Sequence, residues 1–300
     1  MSTVSQSNAM ADRDRAIGLA CGILSVLLFS SFTLASRLGF SSALQLPDIA
    51  ALRFGIGGML LLPVLLRHGL SGIRWRDAAA LACFGGLGFA LSAYAGFKLA
   101  PAAHGAVLLH GSLPLFTFAL LRRGGPRQLA GVLMIGLGVL LMAFDSWSHA
   151  TLLQLAGDGF LLLASLLWSA YGIWARRLGL PPAQGAAIVA VFSMCVFLPV
   201  YVLLPGKALF MVGADTILVQ ALFQGVLIGA VSIFVYTRAV AGLGPATTAL
   251  FTAAVPCMTT LAAIPLLGEW PSNAAVLGVV VVTIGAVTAL GAGRGRPSCR

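Results

Sequence analysis

From Ala16 to Gly291 the chain is a near-unbroken series of apolar runs, each about 20 residues long. That is the length a helix needs to cross ~30 Å of hydrocarbon. A membrane β-barrel would instead alternate polar and apolar residues over segments of ~10. Only 9% of the residues are charged, against about 25% in a soluble domain. The expected fold class is therefore an all-α polytopic membrane protein. Ten transmembrane helices are expected, at about 16–37, 49–66, 77–97, 102–121, 128–144, 157–178, 183–204, 217–241, 246–267 and 272–291. Glycine, proline and charge mark the junctions, as in HGLSGIRWRD and RRGGPRQ. The first run follows Arg13 and Arg15 as in a secretory signal, but its length and the nine spans after it make it the first helix.

The net charge of +10 does not point to nucleic acid, because the cations sit in short links between spans. One set of links holds Arg13, Arg15, Arg67, Arg74, Arg76, Arg122, Arg123, Arg127, Arg176, Arg177, Arg238, Arg294, Arg296 and Arg300. The other holds Arg37, Arg53, Lys98 and Lys207. Positive charge favours the cytoplasm, so both termini are expected there, which requires an even number of spans. The expected division is a cytoplasmic tail at 1–15, helices 1–5 at 16–147, helices 6–10 at 148–291, and a cytoplasmic tail at 292–300.

The two halves resemble each other. LLFSSFTLASRLGF (27–40) pairs with LLWSAYGIWARRLGL (166–180), setting Phe29 against Trp168 and Phe32 against Tyr171. Pro114 in helix 4 similarly matches Pro256 in helix 9. A five-helix unit repeated in tandem enters the membrane inverted the second time, and inverted repeats are typical of secondary transporters with a site near the midplane.

Ten helices in two halves, the YTRAV stretch ending helix 8, and P-x(9)-LLGE at 256–269 together resemble the EamA-type exporters of the drug/metabolite transporter superfamily. The aromatic-rich helices 1 and 6 look most like the YddG-type amino-acid exporters. The resemblance implies a carrier of the bacterial inner membrane that exports amino acids, aromatic ones among them, by alternating access. It also implies that helices 3–4 and 8–9 are the moving pairs. The first half reads ALLRRGGP where the second reads LLGEWP, so Glu269 has no counterpart and is read as a structural cap.

A carrier needs polar groups facing a cavity rather than lipid. Helix 6 sets Ser165, Trp168, Ser169 and Gly172 on one face, with Tyr171 and Trp174 flanking it. Helix 1 offers Ser25, Phe29, Phe32 and Ser36, helix 3 offers Tyr94, and helix 8 offers Gln224, for which an interhelical hydrogen bond is the alternative. Gly225, Gly229 and Ser232 read as a packing seam. Trp174 beside Arg176 and Arg177 fits an interfacial belt. His104, Arg53 and Lys98 are read as interfacial, close to water, the alternative for Arg53 and Lys98 being that one attracts a substrate carboxylate.

His110 falls near the midplane, four residues before Pro114. Proline has no N–H, so Pro114 leaves the carbonyl of residue 110 without its helical donor, and Pro256 does the same to Thr252. His110 and Thr252 are thus candidate substrate ligands beside hinges at Pro114 and Pro256, the alternative being that a neighbour re-satisfies the carbonyl and proline only shapes packing. Desolvation disfavours imidazolium, so His110 is expected to be neutral.

The eight carboxylates lie in tails, links or helix ends, which counts against a mid-membrane proton relay. No P-loop, catalytic triad, metal spacing or cofactor motif occurs, and the five cysteines are scattered, so neither enzyme nor cofactor is expected. The partners expected are amino acids and membrane lipid, with the chain acting as a monomer or weak homodimer. Rival readings are a carrier of other metabolites or drugs, and a non-transporting scaffold or sensor, for which no link is long enough to signal.

Overall fold

The computed structural model describes residues 2–70, 72–100, 104–122, 124–147, 151–267, 270 and 273–291, apart from the side chains of 2–11, 37, 143–147, 263, 266, 267 and 275. Arg123, Glu269 and the C-terminal tail with Arg294, Arg296, Arg300 and Cys299 lie outside the described residues. The helical elements are α1 (Ser2–Ser41), α2 (Leu46–His68) and α3 (Trp75–Leu99), then α4 (Gly105–Leu121) and α5 (Pro126–Trp147). The second half holds α6 (Leu152–Leu178), α7 (Pro182–Leu203), α8 (Ala214–Leu243), α9 (Pro245–Thr252), α10 (Val255–Leu267) and α11 (Asn273–Gly291). Each expected span overlaps one of these, the ninth being divided between α9 and α10.

Six helices are long and apolar enough to cross a membrane: Asp12–Ser41 within α1, and α2, α3, α6, α7 and α8. α4 and the apolar parts of α5 and α11 are shorter. The outer surface is greasy, with Ile23, Leu27, Met59, Leu133, Leu137, Val196 and Ile284 exposed. Among the apolar residues of the interior sit hydroxyls and amides, including Ser36, Ser165, Gln220, Gln224 and Thr248. That pattern is what a lipid surround selects.

Local chemistry sets the helix ends. Thr151 and Gln154 form a reciprocal capping box at the start of α6. A single residue, Gly244, separates α8 from α9 with φ 82°, a conformation that side chains disfavour, and Pro245 then opens α9 where no N–H is required.

The halves pack through helices running antiparallel. α2 meets α7, where Gln184 donates to the Gly69 carbonyl at one end and Tyr201 to Asp48 at the other. α1 meets α8 from Gly18–Gly242 to Gly39–Gln220, and α6 meets α3 from Tyr171–Gly85 to Leu161–Gly96. Exchanging the halves maps the second of these pairings onto the third. α5 and α11 close against each other through Gly131 beside Gly285 and Gly138 beside Gly278, where any Cβ would stand 2.6–2.9 Å from backbone of the partner helix.

Among the described residues, three helices depart locally from α geometry. Residues 83–87 of α3, 105–111 of α4 and 221–232 of α8 are π-helical, a form that recurs at functional sites. α4 then breaks at Ser112, and the second half breaks at the equivalent place, between Thr252 and Val255. Pro114 and Pro256 each sit in the first turn of the half-helix after the break, where a missing N–H costs nothing. The prolines therefore open new half-helices rather than bending continuous ones.

Candidate functional site: an aromatic core between two broken helices

The two breaks meet. The Thr252 hydroxyl lies 3.2 Å from the His110 carbonyl oxygen, the acceptor that Pro114 deprives of its helical donor. Two serines of α6 stitch the other side of the α4 break: Ser165 pairs with Ser112 at 2.9 Å, and Ser169 donates to the Leu113 carbonyl at 3.2 Å. The Ser112 N–H of the same half also points to the His110 carbonyl, and Thr252 and the two α6 serines add contacts from the opposite half.

The His110 ring faces inward, 1% exposed, and neither of its nitrogens has a hydrogen-bond partner. Phe29 stacks on it at 5.1 Å between centroids. From Phe29 the cluster runs edge-on to Trp168 at 5.6 Å and on to Tyr171 at 5.1 Å. Phe32 approaches His110 edge-on at 6.4 Å and carries the cluster to Tyr94 at 5.8 Å. Tyr94 donates to Gln224 Oε1 at 2.8 Å, and the Gln224 amide donates to Ser36 at 3.0 Å, tying α3, α8 and α1 together. Tyr171 and Thr237 share a hydrogen bond of 2.6 Å. His110, Thr252, Phe29, Phe32, Trp168, Ser169, Tyr171, Gln224 and Tyr94 thus fall in one contiguous core. The hydroxyl of Ser169 and the amide of Gln224 are already engaged there, while Trp168 Nε1 has no partner.

Arg53 departs from expectation most. It lies seven residues into α2, or ~10 Å from its start, and is 1% exposed, so it does not reach the interface. Its guanidinium carbon sits 5.2 Å from the centroid of Phe32, 5.4 Å from Phe89 and 6.0 Å from Tyr94, and both terminal nitrogens lack hydrogen-bond partners. The α2–α8 crossing holds it in: a Cβ on Gly229 would stand 2.6 Å from the Arg53 carbonyl, so only glycine lets the helices approach this closely. Gly225 and Gly229 are the packing seam expected of them.

His104 is also not an interfacial residue. It is buried, and its Nδ1 lies 2.6 Å from Asp158. α6 begins at Leu152, which leaves Asp158 six residues inside the helix rather than at its end. Asp48 is buried as well, accepting from Tyr201 at 2.7 Å and from the Gln45 and Ala208 amides at 2.9 and 3.2 Å. Trp174 is half-buried, with Arg177 6.0 Å from its ring centroid. Lys98 reaches Gln45 at the exposed end of α3.

The aromatic core is closed in this conformation. A cavity of about 590 Å³ opens instead where α1 begins and α8 and α11 end, lined in part by Arg15, Gln128, Thr247, Leu250 and Phe251. Leu250 and Phe251 immediately precede Thr252, and Phe251 packs against the α1 backbone at Gly22, so the pair forms the floor between cavity and core.

Sequence reasoning missed Phe89, Phe97 and Tyr236. Phe89 packs on Trp168 at 4.4 Å, and Tyr236 on the same ring at 5.0 Å. Phe89 and Phe97 lie eight residues apart on one face of α3, and Tyr236 stands in the YTRAV stretch, so both carried a legible signal.

Residues 16–144 and 155–291 each match the EamA-like transporter family, one match per half. The chain belongs to that family. It is a multi-pass membrane protein and a transporter of the drug/metabolite type built on two repeats. A solved structure titled "Crystal structure of protein" shares 22% identity with this EamA-like chain, covering 94% of it and 100% of the solved chain at a TM-score of 0.72. At that identity the likeness shows the fold alone. No curated protein matches.

Proposed function

We propose that this EamA-like protein is an alternating-access carrier that exports amino acids, aromatic and hydrophobic ones among them, across the bacterial inner membrane, as YddG-type exporters do. The observation that carries the reading is the meeting of Phe29, Trp168 and His110 between two helices broken at repeat-related positions. Rings grip an apolar side chain, and the unpartnered nitrogens of His110 and Trp168 offer polar contacts that no protein group takes.

The chain crosses the membrane ten times as two inverted repeats, with both termini in the cytoplasm. The gathering of Arg15, Arg67, Arg74, Arg122, Arg127 and Arg177 in one set of links supports that orientation. The cavity beside Arg15 then opens inward, and solute enters when the Leu250–Phe251 floor moves. The half-helices after Pro114 and Pro256 swing about the breaks, opening the core to one side at a time. The path lies within one chain, so a monomer suffices.

The test is counterflow of labelled phenylalanine, leucine and tryptophan in proteoliposomes of the purified protein, without ATP. Movement down a gradient is expected for at least the aromatic members. Absence of flux for every amino acid overturns the proposal.

A further inference from the structure

Arg53 has no part in the reading above, and its surroundings ask for one. A guanidinium at that depth without a counter-charge is strongly unfavourable. The rings of Phe32, Phe89 and Tyr94 offset part of the cost through cation–π contact. They leave both terminal nitrogens without an acceptor. The buried carboxylates are committed elsewhere, Asp48 to Tyr201 and two backbone amides, Asp158 to His104. Asp14 pairs with Arg238 near the start of α1.

The other unpartnered groups of the core include neutral donors that an anion could use. Trp168 Nε1 is a donor, and His110 in its neutral form presents one donor and one acceptor. Gln220 Oε1, one turn before Gln224, adds a neutral acceptor. Such a set matches an anion through charge-assisted bonds and an amine through neutral acceptors alone. One guanidinium balances one negative charge, and its fork fits the two oxygens of a carboxylate.

We propose that Arg53 anchors the carboxylate of the transported solute, so that the site selects small monocarboxylates bearing an aromatic or apolar group, with or without an amino group. The inference rests on the carrier reading for the word "transported". The anchoring itself is testable by binding alone.

The experiment is equilibrium binding of three labelled probes to the full-length protein in nanodiscs: phenylalanine, 3-phenylpropionate, which lacks the amine, and phenethylamine, which lacks the carboxylate. The first two should bind within about 10-fold of each other, and the third should not bind. Arg53→Met removes the charge at similar volume. It should weaken both carboxylates about 10- to 100-fold, the range of a charge-assisted hydrogen bond, while the unfolding temperature holds or rises because a buried charge is gone. Arg53→Lys, the second variant should the first not fold, keeps the charge but loses the fork. It should bind about 10-fold more weakly with carboxylate selectivity intact.

Phenethylamine binding as tightly as phenylalanine overturns the proposal. So does wild-type affinity in either variant, or failure of wild type to bind either carboxylate. Phenylalanine flux without carboxylate selectivity removes the anchor and leaves the carrier standing, whereas carboxylate-selective binding with no flux of any amino acid does the reverse.

Discussion

The Thr252 hydroxyl lies 3.2 Å from the backbone carbonyl of His110, across the interface between the halves, and 2.7 Å from the carbonyl of Ala249 in its own half-helix. A hydroxyl has one proton, so it serves one carbonyl at a time. Thr252→Val, isosteric without the hydroxyl, should lower the unfolding temperature by the few degrees expected from losing one intramembrane hydrogen bond of ~0.6 kcal/mol. It should also change transport rate, while Thr252→Ser stays near wild type. Thermal unfolding in detergent and proteoliposome uptake read the two effects separately.

The two buried histidines should fail in opposite ways. His104→Ala removes a buried hydrogen-bond partner of Asp158, a loss of about 1–3 kcal/mol. It should therefore destabilise strongly with little change in substrate affinity among the molecules that fold. His110→Ala opens space beside Phe29 and should weaken substrate binding more than it lowers the unfolding temperature. Equal effects of the two substitutions on affinity would remove the ranking.

Pro114 and Pro256 stand where their missing N–H costs nothing, so they block a continuous helix from forming across each break. Pro256→Ala permits that continuity. The expected result is slower turnover with equilibrium binding largely intact, measured as maximal uptake rate against dissociation constant. Unchanged turnover would deny the break a role in movement.

The α2–α8 crossing leaves no room for a methyl group. A Cβ at Gly57 or Gly229 would lie within 2.7 Å of backbone on the partner helix, and backbone does not yield as a side chain does. Gly229→Ala should cost about 1–3 kcal/mol and shift Arg53 with it. Gly159, where an added Cβ meets nothing within 4 Å, should accept alanine without loss. Unfolding temperatures of the two variants make the comparison.

The helices, their order and most of the central aromatic residues were legible in the sequence because lipid imposes a length and a polarity on every span. The role of Pro114 was legible only in part. The orphaned carbonyl at residue 110 follows from proline chemistry, but that Thr252 would meet it depends on how the halves face each other. Arg53 was misplaced for a related reason. Counting residues from a helix end suggests a side chain that escapes to water, whereas the Gly57–Gly229 crossing and three rings from α1 and α3 enclose it. His104 likewise looked ordinary until α6 proved to begin at Leu152 and carry Asp158 inward. In each case the missing information was a contact between distant segments.

The seam between α5 and α11 uses glycines seven residues apart on each helix, Gly131 and Gly138 against Gly285 and Gly278. Each helix offers the other the same surface turned end for end. Such a contact is self-complementary, so it is also one that the two halves could make as separate chains. A gene severed between α5 and α6 should consequently yield two polypeptides that find each other when co-expressed. The covalent link between the halves would then contribute concentration, not instruction.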